Sequence, residues 1–588
     1  MHKCFWIVKI PQNYFCRPPM LRYSVTPDPH SHLLCLSLEF EPTRHTVTFH
    51  MPAWTSGSYL IRDYAGRIRG PRTTTGKLNQ IDKNHWTLSG LTPGSIIRIN
   101  WDVFAYSPGI HDAWIDDYRG FFNPAAILLI PAGHDGPCFL NFSDGAFVPH
   151  CSMEAVGDRT FVASDIQELL DTPVTFTNET AEHSIFNLTI KGIPHELVFT
   201  GPGVSSLNTD FILHDVEAIL RTTIEFWSAV PFKRYIFHIQ TGPHLYGGLE
   251  HESSCVLQTD ALALPGTGET LRSKDYEDFL TVLAHEYFHA WLVKFLRPAA
   301  FLPYVLDRES YTHDLWIFEG FTTYYENLLP LRAGIIDRDQ FLSLTSTRFN
   351  RVRERNGFFA ESLSDASFNA WTQLYKQTPD SAYSQTSYYG KGAILAFMLD
   401  AALRNSGLSL DSILKDWFRN ALVNPNLRKL DDGAFFERIP VAPIAHRFKK
   451  LVETTDRFLW EAEWSNALAI FGMTEEADDS ESVAKTLLGL QLDGLLVRYA
   501  DNNGAAFAGG LFAGDEIIAI NDLKVEPKDI ERMISQARGS SMRIHYFREH
   551  MLRVTTIEVP TLPLQRPGII KMKEPTLIGN NWLKQSNQ

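Results

Sequence analysis

The sequence predicts a multidomain α+β protein with a sandwich-like, all-β N-terminal domain, a mostly helical middle part and a small β-rich C-terminal domain. Three observations carry this prediction. The chain has 588 residues, which is too long for a single hydrophobic core. Apolar residues alternate with polar ones up to about residue 200 and then recur at helical intervals. A short acidic segment without apolar periodicity separates the last part.

The β domain is predicted to span residues 21–205, after an extension, residues 1–20, that has no assignable role. In the segment "LCLSLEF", Leu34, Leu36 and Leu38 share one face, and the residues between them take the other. Turn sequences such as "TPG" and "GHDG" separate runs of this kind. Period-two alternation is typical of strands that bury one face, so an all-β sandwich is expected here.

Helical spacing begins near Asp210 and predicts a second domain over residues 206–472. One of its helices follows Ser273, which is a good N-cap residue. The residues of that helix expected to face the core are Tyr276, Phe279, Leu280, Leu283 and Tyr287.

The acidic segment "MTEEADDSES", residues 473–482, is predicted to be a linker. Beyond it, residues 483–565 contain "LLGLQL" and "AGGLFAGDEIIAINDLKV", which resemble PDZ domains, with a generic small β domain as the alternative. The resemblance implies a groove that binds the C-terminus of a peptide or protein by strand addition. Asp522 departs from the pattern, since glycine is usual at that position. The tail, residues 566–588, has no assignable function.

The overall charge argues against nucleic acid as a partner. There are 68 acidic and 54 basic residues, giving a net charge of −14, and no dense basic block is present. The six cysteines show no CxxC spacing, and the N-terminus has no clear signal-peptide cleavage site. No apolar run is long enough to span a membrane. A cytoplasmic protein without a membrane span is therefore expected.

The motif "HEYFH" within residues 281–298 predicts a metal site. Histidines four residues apart lie on one helix face, so His285 and His289 can bind the same zinc ion. Glu286 projects near them and can accept a proton from water without being a ligand. A motif of this length also arises by chance, in which case two core histidines would be bonded to backbone carbonyls.

A catalytic zinc ion needs a third protein ligand, which must lie downstream. The carboxylates considered are Asp307, Glu309, Asp314, Glu319 and Glu326. Bulky apolar residues flank Glu319 in "LWIFEGFTTYYENLL", which predicts burial, and a buried carboxylate needs a cation. We therefore predict Glu319 as the ligand. Glu326, two helical turns further, is predicted to orient a ligating histidine, although a solvated glutamate fits the pattern nearly as well.

Taken together, several strings resemble one known family, the glycyl aminopeptidases with a PDZ domain, which are zinc peptidases of the gluzincin type. These strings are "MPAWTSGSYLIRDYAG", "YGGLEHESS", "HEYFHAWLVKFLRP", "LWIFEGFTTYYENLL", "ESLSDASFNAWTQLY", "SYYGKGA" and "AGGLFAGDEIIAIN". The resemblance implies a thermolysin-like catalytic domain, one Zn²⁺ per chain and Glu319 as its third ligand. It also implies peptide substrates with a free N-terminus, with glycine or alanine as the released residue.

The resemblance assigns further residues to substrate and transition state. Tyr389 aligns with the tyrosine that precedes "xKG" and would donate to the developing oxyanion, with Tyr388 as the alternative if the register shifts by one. Glu250 in "GGLEH" would bind the substrate α-ammonium group. Gly247 and Gly248 would let the backbone approach the substrate.

The sequence thus favours a zinc aminopeptidase, with two alternatives. An endopeptidase of the same class would not depend on Glu250. A catalytically inactive scaffold would act as a peptide-binding adaptor through its PDZ-like domain. The retention of a competent residue at every predicted catalytic position favours an enzyme.

Overall fold

The structure is a computed structural model that describes residues 20–143, 145–478, 480–564 and 566–584. The predicted extension therefore lies outside the described residues except for residue 20. The described residues form two compact units. The first consists of residues 20–207, 232–267 and 303–309, and the second of residues 208–231, 268–302 and 310–584.

The first unit is mostly β-structure, and its described residues contain one short α-helix, α1 (Ile166–Leu170). Its strands are β1 (Leu21–Asp28), β2 (Leu33–Phe40), β3 (Thr46–His50), β4 (Ile68–Thr73), β5 (Lys77–Gln80), β6 (His85–Ser89), β7 (Ile97–Phe104), β8 (Ala113–Ile115), β9 (Arg119–Phe122), β10 (Ile130–Pro131), β11 (Cys138–Phe142), β12 (Val148–His150), β13 (Glu154–Gly157), β14 (Thr160–Ala163), β15 (Val174–Thr177), β16 (His183–Ile190), β17 (Ile193–Thr200), β18 (Tyr235–Thr241), β19 (Gly247–Glu250) and β20 (Ser254–Thr259). They form four sheets, in the orders β13-β14-β11-β1-β2-β7-β4, β10-β3-β6-β5, β12-β15-β9-β8 and β16-β17-β18-β20-β19.

The predicted N-terminal β-sandwich is confirmed. Strand β2 buries Leu34, Leu36 and Leu38, the face that the alternation indicated, and pairs antiparallel with β1 and β7. The boundary predicted between residues 205 and 206 is not where the structure divides the chain. Strand β17 pairs in parallel with β18, so residues 235–259 belong to the first unit. Pairing between strands that a helix separates leaves no local trace in the sequence.

The second unit is mostly helical. Its helices are α2 (Thr209–Trp227), α3 (Lys274–Phe288), α4 (Leu315–Arg332), α5 (Arg338–Arg353), α6 (Leu363–Phe368), α7 (Ser381–Ser384), α8 (Tyr388–Asn405), α9 (Leu410–Val423), α10 (Ala442–Glu453), α11 (Arg457–Phe471), α12 (Ala505–Ala508), α13 (Pro527–Gln536) and α14 (Leu577–Trp582). Its strands are β21 (Arg297–Pro298), β22 (Lys429–Leu430), β23 (Met473–Glu476), β24 (Leu490–Asp493), β25 (Leu496–Ala500), β26 (Glu516–Ile520), β27 (Leu523–Lys524), β28 (Ser541–Arg548), β29 (Met551–Glu558) and β30 (Ile569–Met572).

Helix α3 forms as the sequence predicts. The Ser273 hydroxyl accepts a hydrogen bond from the N–H of Tyr276 (3.2 Å), which caps the helix, and the five predicted apolar residues are buried. Helix α2 buries Ile212, Val216, Ile219, Leu220 and Ile224, whereas Phe211 is only half-buried.

The predicted linker and the tail are partly ordered by pairing with each other. Strand β23, the first part of the linker, runs antiparallel to β30 in the tail. Further along the tail, Trp582 stacks on Phe471 (ring centroids 4.2 Å apart) and donates to the hydroxyl of Tyr324 (2.6 Å). Apolar periodicity does not reveal such pairing, because each segment is short and its partner is distant in sequence.

Residues 483–564, here called the C-terminal lobe, have a hydrophobic core of their own, which includes Leu487, Ile517 and Ile544. The sheet order is β24-β25-β26-β28-β29, with β27 paired to β26. Just before β24, the N–H of Thr486 donates to the carbonyl oxygen of Ser482 (2.9 Å), and the N–H of Gly489 donates to that of Lys485 (3.2 Å). The assignment of a PDZ domain stays a prediction.

Within the described parts of the chain, no helix alone has the length and hydropathy of a membrane span. The segments Ser381–Asn405 and Leu410–Val423 have them only when taken together, and the chain bends by 95° between the two.

Asp314, just before α4, allows a test of the packing around that helix. Burial raises the pKa of its carboxyl to about 6, although the N–H of Gly433 donates to it (2.8 Å) and opposes the rise. The native state therefore binds the proton more tightly than the unfolded state, and this stabilisation is lost as the pH rises through 6. Above pH 6 the native state holds a buried carboxylate at a cost of about 2–3 kcal/mol.

We expect Asp314→Asn to raise the thermal unfolding midpoint at pH 8 and to leave it nearly unchanged near pH 4. The exposed Asp416, paired with Arg419, provides the control, because Asp416→Asn should not produce this pH dependence. An equal shift at both pH values would contradict the assigned cause.

Candidate metal centre

Three helices of the second unit supply the residues of the candidate site. Helix α3 carries His285 and Glu286, and His289 follows its last residue in helical conformation, with its N–H donating to His285 O (3.2 Å). Helix α4 carries Glu319 and Glu326. The first two residues of α8 are Tyr388 and Tyr389.

A glycine pair sets the distance between α4 and α8. A Cβ atom on Gly320 would lie 2.6 Å from the Cα of Gly392, and one on Gly392 would lie 2.8 Å from the Trp316 carbonyl oxygen. Neither position accommodates a side chain, so the two backbones touch. Because Glu319 precedes Gly320 directly, this contact holds the carboxylate close to the start of α8.

The predicted ligand atoms converge. His285 Nε2 and His289 Nε2 are 3.0 Å apart, and Glu319 Oε2 lies 3.2 Å from His289 Nε2 and 3.7 Å from His285 Nε2. Two ligands of one tetrahedral zinc ion are separated by about 3.4 Å. Glu319 is 2% and His289 1% exposed, so water does not screen this cluster.

Hydrogen bonds at Nδ1 of His285 and His289 leave the Nε2 lone pair of each ring directed toward Glu319. Nδ1 of His289 faces the carbonyl oxygen of Leu292 (3.0 Å), and Nδ1 of His285 faces Glu326 Oε2 (2.6 Å). Both oxygens accept, so each Nδ1 donates and each Nε2 presents a lone pair toward Glu319. Three electron-rich atoms this close repel each other unless a cation lies between them, and two imidazoles with one carboxylate suit zinc.

Ionisable side chains surround both Glu319 and Glu326. Burial raises the pKa of Glu319, but protonated rings of His289 and His285 outweigh burial and lower the pKa, and a cation between the three groups would act in the same direction. Glu326 also forms an ion pair with Arg348. The carboxylate of Glu326 is thus held in place on both sides, and it fixes the ring orientation of His285.

Glu286 lies between the two histidines in α3 and is 6% exposed. Of the other carboxylates considered as ligands, Asp314 bonds to Gly433, while Asp307 and Glu309 belong to the first unit. Among the described residues of the second unit, the cluster of His285, His289 and Glu319 has all its ligand atoms within 4.8 Å of one another.

The two tyrosines differ in their surroundings. The ring of Tyr389 stacks near that of His285 (centroids 6.2 Å apart), and its hydroxyl lies 2.8 Å from the hydroxyl of Tyr375. Tyr388 is fully buried, and burial raises the pKa of its phenol well above the usual value. The ring of Tyr389 therefore lies beside that of His285, where the predicted oxyanion donor is expected.

In the first unit, Glu250 ends strand β19 and carries a buried carboxylate. Its side chain is buried, and Oε1 has no hydrogen-bond partner among the described residues. Gly57 (φ +88°) lies directly against it, since a Cβ there would be 2.5 Å from Glu250 Oε2. Of the two preceding glycines, Gly247 has a φ of +142°, and both Gly247 and Gly248 pair with β20.

Asp171 holds the chain that follows Glu250. Its Oδ1 lies 3.1 Å from Nδ1 of the buried His251, and its Oδ2 accepts from the N–H of Glu252 (2.8 Å). The hydroxyl of Ser56 donates to the same carboxylate. The sequence reasoning missed Asp171 and Gly57. Gly57 lies within "MPAWTSGSYLIRDYAG", so the string contained the signal, but only the fold brings it to Glu250.

Comparison with protein families gave two matches. Residues 22–178 match the N-terminal domain of the M61 peptidases, and residues 278–395 match the M61 glycyl aminopeptidase family. The comparison with curated proteins gave no match.

Among solved structures, the chain is similar to an aminopeptidase N family protein from Idiomarina loihiensis. The TM-score is 0.87 and the identity 28%, over 96% of this chain and 100% of that chain. An M1 zinc metallopeptidase from Deinococcus radiodurans gives a TM-score of 0.44 at 13% identity, over 75% of this chain and 94% of that chain.

Proposed function

The chain carries the N-terminal domain and the peptidase domain of the M61 glycyl aminopeptidase family, and we propose that it is a zinc aminopeptidase that releases N-terminal residues, glycine and alanine among them, from peptides. The convergence of His285, His289 and Glu319 is the observation that supports this proposal most strongly. All their ligand atoms lie within 4.8 Å of one another, and Glu286 stands between the two histidines in sequence.

In the proposed reaction, His285, His289 and Glu319 would hold a zinc ion, which when bound would supply Lewis acidity to the site. Glu286 takes a proton from the attacking water and later delivers it to the leaving amine. Tyr389 donates a hydrogen bond to the carbonyl oxygen as negative charge develops there. Glu326 keeps the ring of His285 oriented throughout.

Glu250 is proposed to bind the α-ammonium group of the substrate. A buried carboxylate with an unsatisfied oxygen is costly unless a cation reaches it, and the substrate N-terminus is such a cation. Binding that charge fixes which peptide bond is cut, because the register is counted from the free amino group.

The test compares a peptide with a free N-terminus and the same peptide acetylated there. We expect acetylation to lower kcat/KM by at least about 100-fold, since a charge-assisted bond and the register are both lost. Glu250→Gln should lower kcat/KM on the free peptide and leave the zinc content unchanged. Glu252→Gln, two residues further and exposed, is the matched control and should retain activity.

Equal cleavage of the acetylated and free peptides would contradict the exopeptidase proposal and favour an endopeptidase. Turnover of neither peptide by zinc-loaded protein would contradict the proposal as a whole and favour a binding role.

A further inference from the structure

Tyr383 joins the C-terminal lobe to the helix that carries the candidate oxyanion donor. It belongs to the short helix α7, and its hydroxyl donates to the carbonyl oxygen of Ala500 in the lobe (2.7 Å). Its ring stacks on Phe512 (centroids 5.2 Å apart, planes at 15°). Tyr499 and Phe507 of the lobe also contact the ring, at centroid distances of 5.2 and 5.7 Å. One side chain of α7 therefore packs against three aromatic residues of the lobe.

The lobe also holds the segment between α5 and α6. The hydroxyl of Tyr499 donates to the side chain of Asn356 (2.5 Å), and the guanidinium group of Arg355 lies over the Tyr499 ring (4.8 Å). Lys485 forms an ion pair with Glu354 (2.8 Å). The same tyrosine thus contacts both this segment and Tyr383.

These two segments are tied to each other and to α8. A side chain at Gly357 would collide with the carbonyl oxygen of Gln385, so the two backbones touch. Glu361 accepts from the N–H of Thr386 (2.9 Å). From α8, the buried ammonium group of Lys391 donates to the carbonyl oxygens of Phe358 (2.6 Å) and Glu361 (2.7 Å). The segment between α5 and α6 therefore holds the start of α8 at two points, Thr386 before the helix and Lys391 in its first turn.

Little chain lies between Tyr383 and the candidate donor. After α7, Ser387 caps α8 by accepting from the N–H of Gly390 (3.3 Å), and Tyr388 and Tyr389 follow at once. Because only five residues separate Tyr383 from Tyr389, a displacement of Tyr383 is expected to displace Tyr389 as well. The proposed zinc ligands stand on α3 and α4, and α4 contacts α8 through Gly320 and Gly392, beyond the two tyrosines. Loss of Tyr383 should consequently move the tyrosine rather than the metal ligands.

We propose that Tyr383 is a positioning residue, through which the C-terminal lobe holds Tyr389 in place for stabilisation of the oxyanion. The inference rests on the proposed aminopeptidase function. The lobe would then have a role in catalysis that does not require a bound peptide. The aromatic cluster of Tyr383, Tyr499, Phe507 and Phe512 connects the lobe to the segment that leads to Tyr389.

The test is a double-mutant cycle on the full chain with an alanine anilide as substrate. Tyr389→Phe should lower kcat by about 100-fold, the usual effect of losing one oxyanion donor. Tyr383→Ala should lower kcat at least about tenfold, with KM within about twofold and zinc content unchanged. Tyr383→Phe keeps the stacked ring and should restore most of kcat. The double variant should be no slower than Tyr389→Phe alone, because both changes remove the same contribution.

Independent losses that multiply in the double variant would overturn the inference, as would an unchanged kcat in Tyr383→Ala. If Tyr383→Ala does not fold, Phe512→Ala removes the stacking partner from the lobe and should reproduce its kinetics. Hydrogen exchange provides a readout besides activity: amides of residues 384–392 should exchange faster in Tyr383→Ala, and those of residues 281–289 should not. Unchanged exchange in residues 384–392 would also overturn the inference, whereas an inactive wild-type enzyme would instead contradict the proposed function.

Discussion

Replacement of Glu286 by glutamine is expected to lower kcat by at least about 1,000-fold and to leave one zinc ion per chain in place. General acid–base catalysis by one positioned side chain contributes about 100- to 10,000-fold, and Glu286 is assigned both proton transfers. An amide has the size of the carboxylate but cannot accept the proton of water. The proposed ligands His285, His289 and Glu319 are untouched by the change, so metal binding should persist. Steady-state kinetics and metal analysis of the same preparation measure the two effects.

The matched control for this variant is Asp275→Asn, a change at an exposed residue in the first turn of the same helix. It also converts a carboxylate to an amide but lies far along α3 from the ligands, so kcat should stay within about twofold, in line with the small effects of surface changes. A Glu286→Gln enzyme that keeps a tenth of the wild-type activity would remove Glu286 from the mechanism. One that loses its zinc would reassign Glu286 from proton transfer to metal binding.

Replacement of Glu319 by alanine is expected to abolish turnover and to weaken zinc binding by more than about 100-fold. Removing a group that only orients a ligand costs about 10- to 100-fold in metal affinity, and Glu319 is assigned as a ligand itself. The change also leaves two buried imidazoles without the negative charge that balances the ion. Competition with a chelator of known affinity measures the loss.

Glu461→Ala provides the control, because that side chain is 55% exposed on α11. It should bind zinc and turn over substrate as the wild type does. Glu326→Gln should give an intermediate result, since the amide can still accept from Nδ1 of His285 but no longer carries the charge. Wild-type zinc affinity in Glu319→Ala would mean that another group completes the site.

The site residues that could be predicted from the sequence are those with a local signal, either helical spacing or the apolar residues that flank them. The spacing of His285 and His289 follows from one helical turn, and the buried face of α3 follows from its apolar period. Glu319 was recognisable because a carboxylate among bulky apolar residues requires a cation. The structure brings these atoms together and sets Glu326 against His285.

Other features depend on contacts between distant segments, which periodicity and spacing do not encode. The pairing of β17 with β18 moved residues 235–259 into the first unit. Gly57 meets Glu250 across almost two hundred residues of chain. No motif or spacing in the sequence marks Tyr383, and only the fold brings it against the aromatic residues of the C-terminal lobe. The domain resemblance of that lobe gave no indication of this contact.

The most direct test of the metal centre is the zinc content of the purified wild-type chain and of His289→Ala, measured by mass spectrometry after dialysis against metal-free buffer. The coordination inferred from α3 and α4 predicts one tightly held zinc ion per wild-type chain and a substoichiometric amount in the variant, with activity following the metal. A wild-type chain that is folded, active and free of stoichiometric metal would show that these side chains do not form a hydrolytic centre.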